Sequence, residues 1–243
     1  VSVPSPTAEA PPRAARPLLV AAGVTALVAV LSRALPHDWA GTAVGLAFLV
    51  ATWALVLAPG HGEAARSHGL SLGGLFDADA LDAKRVARES LLALALATVC
   101  ALVFFPPFFV GFRLWFGVAR PFDLGRALPW GALADEAGGQ LLAVALPEEA
   151  FYRGYLQTEL DRAFPPRLRV LGARVGMGLV VTSAVFAVGH LLTVPAPARL
   201  AVFFPALVFG WLRARTGGVG AGVVFHAACN LFSATLARGF GLG

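Results

Sequence analysis

The chain alternates long apolar runs with short polar ones. The runs approach the length of helices that cross a bilayer, which take about 20 mostly apolar residues each. Seven are predicted: Leu18–Leu35, Ala40–Ala58, Leu91–Phe112, Gly138–Leu160, Val175–Val194, Leu200–Leu212 and Val219–Leu236. The first two are Ala/Val/Leu runs, and Pro36, His37 and Asp38 make the turn between them. A short interfacial helix over Asp82–Glu89 is expected to lead into the third, which carries Pro106-Pro107 and should kink or break there. Trp115, Phe116, Phe122 and Trp130, set among Arg and Pro, read as an aromatic belt at the membrane interface. The first 17 residues are rich in Pro, Ala and Ser, have no apolar centre, and read as a disordered tail. The fold class expected is all-α: a polytopic membrane bundle of about seven transmembrane helices plus interfacial helices. It forms one domain over residues 18–243.

Composition narrows the class further. Hydrophobic residues make up 58% of the 243 and charged residues 14%. Soluble domains average roughly 45–50% and about 25%, so an ordinary water-soluble enzyme and a disordered chain are both excluded. The net charge of +5 raises the question of nucleic acid. The 19 basic residues, Lys84 the single lysine among them, are scattered without a stripe or recognition motif, so no nucleic-acid partner is expected. In a membrane protein such charges set orientation, and their bias toward segments sharing a side with the N-terminus puts that terminus in the cytoplasm. Cys100 and Cys229 fall in spans without Cys-x-x-Cys spacing and read as small buried residues. His37, His61 and His68 read as solvated loop residues, and the Arg-rich loop after residue 161 as an orientation signal near anionic lipid.

The chemistry concentrates in the second half. A charged group at the centre of a span costs about 2.5–3.5 kcal/mol or more, so it persists only when paired or placed around water. Glu148, Glu149, Arg153, His190 and His226 all fall in predicted spans, whereas the first three spans hold no such group in their middles. One polar site built from spans four, five and seven is the economical reading. Glu149 and Arg153 stand four apart in the favourable order for a helical ion pair. That leaves Glu148, about 100° around the helix, free for water. His226 and Asn230 share a face, and Phe186 lies one turn below His190. A glutamate, two histidines and an asparagine around a water have the makings of a hydrolytic centre. Glu148 with His190 takes a proton from the water, and His226 and Asn230 donate to a developing oxyanion. Zinc on Glu148, His190 and His226 is the alternative that ligand type allows, with no cofactor the favoured reading. The bland alternatives are a structural ion network and interhelical glue. The run Gly217–Gly222 lacks the ending of a phosphate loop and suits helix packing.

These residues also carry a resemblance. Glu148-Glu149-x-x-x-Arg153, Phe186-x-x-x-His190 and His226-x-x-x-Asn230, in that order on successive spans, resemble the three motifs of the CPBP (CAAX protease and bacteriocin-processing) family, which includes the type II CAAX prenyl endopeptidases. The resemblance covers residues 138–236. It implies an intramembrane endopeptidase in which Glu148 and His190 activate water, His226 and Asn230 form the oxyanion site, and Glu149, Arg153 and Phe186 support the geometry. Members have been described as metalloproteases, yet this chain lacks His-Glu-x-x-His, and a glutamate-type mechanism is the better expectation. The expected partners are the lipid bilayer and a membrane-anchored protein or peptide, cut in precursor or C-terminal sorting-tail processing. The Arg-, Ala- and Gly-rich composition, nearly free of lysine, suggests a bacterial inner membrane. A non-catalytic immunity or scaffold protein on the same fold is the competing class, and a proton-coupled transporter a more distant one. The intact set Glu148, His190, His226 and Asn230 favours the enzyme, and no internal repeat supports a transporter.

Overall fold

The structure, a computed structural model, describes residues 14–74, 81–128 and 130–242, except for the side chains of His37 and His61. Of the expected N-terminal tail, residues 1–13 lie outside the described residues. Ala15–Pro17 already belong to the first helix, α1 (Ala15–Ala34), because proline is accommodated in a first helical turn. Helix α2 (His37–Thr52) passes through a wide π turn at Trp53–Leu57 into α3 (Ala58–Ser67). Helix α4 (Ala83–Trp115) opens on Asp82, whose carboxylate accepts from the backbone N–H groups of Lys84 and Arg85. The expected interfacial helix is therefore the first two turns of α4 and not a separate piece.

The helix does not break at Pro106-Pro107. Two prolines free two carbonyls one turn back, but the segment is clamped by aromatic packing on α11 (Gly220–Gly239). Phe105 stacks on Phe232 at 4.2 Å and Phe109 meets Phe240 at 5.6 Å. The short helices α5 (Leu124–Ala127) and α6 (Leu133–Gly138) follow. From α6 the chain continues as one helical rod through π turns at Gly139–Ala145 and Ala150–Gln157. These flank α7 (Leu146–Glu149) and lead into α8 (Thr158–Ala163). Wide turns of this kind often occur where a helix carries function.

A two-stranded antiparallel hairpin, β1 (Leu168–Val170) and β2 (Ala173–Val175), stands where a plain loop was expected. Helices α9 (Met177–Thr193) and α10 (Phe203–Thr216) complete the bundle with α11. Among the described residues five helical stretches are long and apolar enough to cross a membrane: Ala15–Ala34, Asp38–Gly60, Ala83–Trp115, Pro197–Thr216 and Gly220–Gly239. Met177–Thr193 is a shorter apolar helix. The architecture is an all-α polytopic bundle.

Its outside is apolar. Leu91, Leu94, Leu102, Val103 and Val110 of α4 are exposed, as are Trp39, Trp53, Trp115 and Trp130. In water such a surface would drive association; facing lipid it is satisfied. The interior is where the polar groups lie, around the buried rings of Phe48, Phe151, Tyr152, Phe186, Phe209 and Phe225. Arg33 in the last turn of α1 donates to the carbonyl of Leu192 in the last turn of α9, so the C-terminal ends of these two helices share one face of the bundle and their N-terminal ends the opposite face. The hairpin and the α10–α11 turn lie on that face, where Val219 N–H donates to the carbonyl of Gly69.

Candidate active site

The rod from α6 to α8 delivers most of the chemistry. Glu149 and Arg153, a turn apart, are both 0% exposed. Arg153 Nη1 donates to Glu149 Oε1 at 2.8 Å, the pairing that the spacing predicts. Its Nη2 donates to the carbonyl of Ala206 on α10 at 3.1 Å. The guanidinium is flanked by two rings, with its carbon 4.6 Å from the centre of Phe186 and 5.1 Å from that of Phe209. Ion pair, backbone acceptor and π faces together compensate a charge that could not otherwise be buried here.

Glu149 does more than hold Arg153. The same Oε1 lies 2.9 Å from Nδ1 of His226 on α11. A carboxylate oxygen accepts, so Nδ1 carries the hydrogen, and in the neutral ring Nε2 is then an acceptor. His226 stacks on Phe209 at 4.8 Å with 13° between planes and meets Phe186 edge-on at 5.7 Å. Its Nε2 points toward Glu148, 3.8 Å from Oε2. That is too long for a hydrogen bond and close to the span one water can bridge. Glu148 Oε2 and Glu149 Oε2 are buried and have no hydrogen-bond partner among the described residues. Gly222 makes the geometry possible: a Cβ at that position would sit 3.1 Å from Glu149 Oε2.

His190 reaches the site through Phe186. The two rings lie 4.4 Å apart, one helical turn from each other as the spacing predicts. Its Nδ1 lies 3.1 Å from the carbonyl of Phe186, which fixes the hydrogen on Nδ1 and frees Nε2. Glu148 and His226 are among its electrostatic neighbours. No hydrogen bond joins His190 to Glu148 directly among the described residues. Asn230 is one turn beyond His226, and its Nδ2 donates to Oε1 of Gln140 at 2.9 Å. The bundle thus brings Glu148, Glu149, Arg153, Phe186, His190 and His226 around one centre, with Asn230 at its edge. Among the described residues no three His, Cys, Asp or Glu side chains are arranged to hold a metal ion.

Sequence reasoning missed three features. The first is Gln140, for which the signal is a lone amide in an apolar run. The pairing of Glu149 with His226 joins residues 77 apart and has no local signature. The third is a polar stripe that continues from Glu149 and Arg153 at four-residue intervals to Gln157 and Asp161. Gln157 Nε2 donates to the carbonyl of Gly210 at 3.1 Å, and Arg213 Nη2 to Thr158 Oγ1 at 3.3 Å. These residues line a cavity of about 240 Å³. Asp161, past the expected end of its span, has its carboxyl pushed up to about 6 by burial, against the opposing pull of Gln157 and Arg213. His68 also corrects expectation. It is buried, with Nδ1 2.8 Å from the Ala64 carbonyl and Nε2 3.2 Å from Glu159, because α8 closes over the end of α3.

A carboxylate pair, a guanidinium and two imidazoles gathered inside a helical bundle of apolar helices define a polytopic membrane protein with an internal polar centre. The comparisons agree. Residues 132–232, the segment that bears the whole site, match the family described as type II CAAX prenyl endopeptidase Rce1-like. No curated protein and no solved structure matches the chain. The family indicates a protease of the CAAX intramembrane type, and with the apolar helices it makes the chain an integral membrane protein.

Proposed function

We propose that the chain is an intramembrane endopeptidase that cleaves a membrane-associated protein or peptide with a water activated by Glu148. The observation that carries this is the pairing around Glu149. Oε1 of Glu149 accepts from Arg153 and His226 and its charge is held by the guanidinium, so Glu149 is the poorer base although its Oε2 is unpartnered; Glu148, whose unpartnered Oε2 faces Nε2 of His226, is the available one. A water between Glu148 Oε2 and Nε2 of His226 would give each an ordinary hydrogen bond across the 3.8 Å gap. His190 Nε2 supplies a further contact to that water or to the substrate.

In the reaction the water oxygen bonds to the scissile carbonyl carbon as its proton passes to Glu148. The protonated carboxyl then returns that proton to the leaving amine as the C–N bond breaks. Asn230 Nδ2 has a second hydrogen to offer the oxyanion. His226 can donate to that oxyanion only once its Nε2 is protonated, a charge that Glu149 would stabilise as the acid of a catalytic triad does. The substrate class proposed is a membrane-anchored segment such as a precursor or a C-terminal sorting tail. The setting proposed is a bacterial inner membrane with the N-terminus cytoplasmic, and the mechanism needs no metal.

Comparing the membrane proteome of a strain carrying the gene with that of a deletion strain should reveal an uncut precursor. That precursor, reconstituted in liposomes with the purified protein, should be cut by wild type and left whole by Glu148→Gln. Cleavage retained by Glu148→Gln at normal expression overturns the reading.

A further inference from the structure

The hairpin over β1 and β2 is built against the usual rules for such an element. Its register, Leu168 with Val175, Arg169 with Arg174 and Val170 with Ala173, leaves a two-residue turn. Both turn residues have positive φ, Leu171 at 46° and Gly172 at 82°. Turns of this kind favour Asn-Gly, because asparagine tolerates the left-handed region and a γ-branched apolar residue does not. Leucine stands there nonetheless, and it is 82% exposed. Directly behind it, Arg169 and Arg174 are cross-strand partners of like charge, an arrangement that destabilises a sheet. Neither pairs with an acid among the described residues. Arg167 and Arg215 are exposed beside them, with the Arg215 side chain lying against Gly172.

The two faces of the hairpin differ. Leu168 and Val170 alternate with the arginines, and both are exposed together with Met177. The hairpin is not floppy: Trp211 Nε1 on α10 donates to the carbonyl of Val170 at 2.9 Å. It is thus fixed beside the membrane-spanning helices at their ends, with an apolar tip and an uncompensated guanidinium cluster held at one height.

We propose that this hairpin is an interfacial anchor that binds the anionic headgroups of the leaflet on its face of the bundle. Leu171, Leu168 and Val170 enter the acyl boundary, and Arg167, Arg169, Arg174 and Arg215 pair with phosphates. The position of the cluster beside the spans and its charge complementarity favour lipid over an acidic peptide. Each interfacial arginine is worth on the order of 1 kcal/mol near an anionic surface, or about fivefold in affinity.

The test uses the full chain purified in detergent, with retained lipid counted by native mass spectrometry after exposure to phosphatidylglycerol or phosphatidylcholine. Wild type should retain phosphatidylglycerol preferentially, and Arg169→Gln/Arg174→Gln should weaken that retention by about 30-fold. Both arginines are exposed, so the fold survives, which an unchanged melting temperature in detergent will confirm. Leu171→Asn preserves the turn and should weaken retention of both lipids alike. Excess soluble glycerol phosphate should not displace the bound lipid. Equal retention of the two lipids by wild type, an unaltered preference in the double variant, displacement by glycerol phosphate, or replacement of lipid by an acidic peptide at this hairpin would each overturn the proposal.

Discussion

Replacing Glu149 by Gln tests the site at its most connected atom. The substitution keeps the shape, so the amide oxygen can still accept from Arg153 and His226, but it removes the negative charge that both donors face. Arg153 is wholly buried and keeps its charge, because a guanidinium does not give up its proton in a protein. Taking one partner from a buried ion pair costs about 3–5 kcal/mol, since the other is left uncompensated. Against a total stability of about 5–15 kcal/mol this is a large fraction. The Ala206 carbonyl and the two rings around Arg153 soften the loss, so the lower end, about 3 kcal/mol, is the expectation. Replacing both members, Glu149→Gln/Arg153→Met, removes the stranded charge and should recover most of the stability. It should not recover catalysis, because the group that orients His226 stays neutral. Unfolding in mixed micelles, followed by circular dichroism, measures the first effect, and single-turnover cleavage measures the second. A single variant as stable as wild type, or a double variant less stable than the single one, would refute the account of Glu149 as shared counter-charge.

Four further outcomes follow from the same geometry. Gly222→Ala places a methyl 3.1 Å from Glu149 Oε2, so it should destabilise by about 1–3 kcal/mol and depress turnover, read by thermal melts and cleavage rates. Gln140→Leu frees the Asn230 amide and should lower kcat about tenfold with little change in KM. Gln140→Glu, which can still accept, should restore most of it. Asp161 has a native carboxyl raised from 3.8 to about 6, so the unfolded chain ionises first as pH rises, and wild-type stability falls between about pH 4 and 6 and then levels. Asp161→Asn removes that dependence and should be the more stable form at pH 8, by about 1–2 kcal/mol after solvent screening, with melts across pH as the check. Because Glu148 serves as base without a metal in the proposed reaction, cleavage should survive chelation. Stoichiometric zinc, with activity lost on its removal, would refute the metal-free route.

What could be foreseen divides along the range of the interaction. Hydropathy marks Ala15–Ala34, Asp38–Gly60, Ala83–Trp115 and Gly220–Gly239, because a lipid-facing helix must be apolar over a fixed length. The pair of Glu149 with Arg153 and the contact of Phe186 with His190 were legible because a helix turns in 3.6 residues. The unbroken course of α4 through Pro106-Pro107 was not, since it depends on rings far along the chain, such as Phe232, 127 positions beyond the Phe105 on which it stacks. The hairpin was hidden because its strands are three residues each and its turn carries leucine in place of the usual Asn-Gly signal.

The same division explains why the roles of the site residues needed the structure when their identities did not. Spacing brought Glu149 and Arg153 together and left Glu148 over as a spare carboxylate. Only the approach of α11 shows that Glu149 is also the acid behind His226, and that His226 turns its other nitrogen toward Glu148. Two consecutive glutamates are thereby set apart by one imidazole placed between them: Glu149 takes two donors, Arg153 and His226, on its Oε1, while Glu148 faces the other nitrogen of that ring with a buried Oε2 that has no partner among the described residues. A helix of ordinary pitch presents such neighbours in directions about 100° apart, which is what lets a single histidine from another helix touch one and face the other. The expected assignment of His226 as oxyanion donor then becomes conditional, since the nitrogen that faces the reacting centre carries no hydrogen while Glu149 holds the one on Nδ1. In the proposed reaction the paired motif separates a base, Glu148, from a counter-charge, Glu149, within one turn.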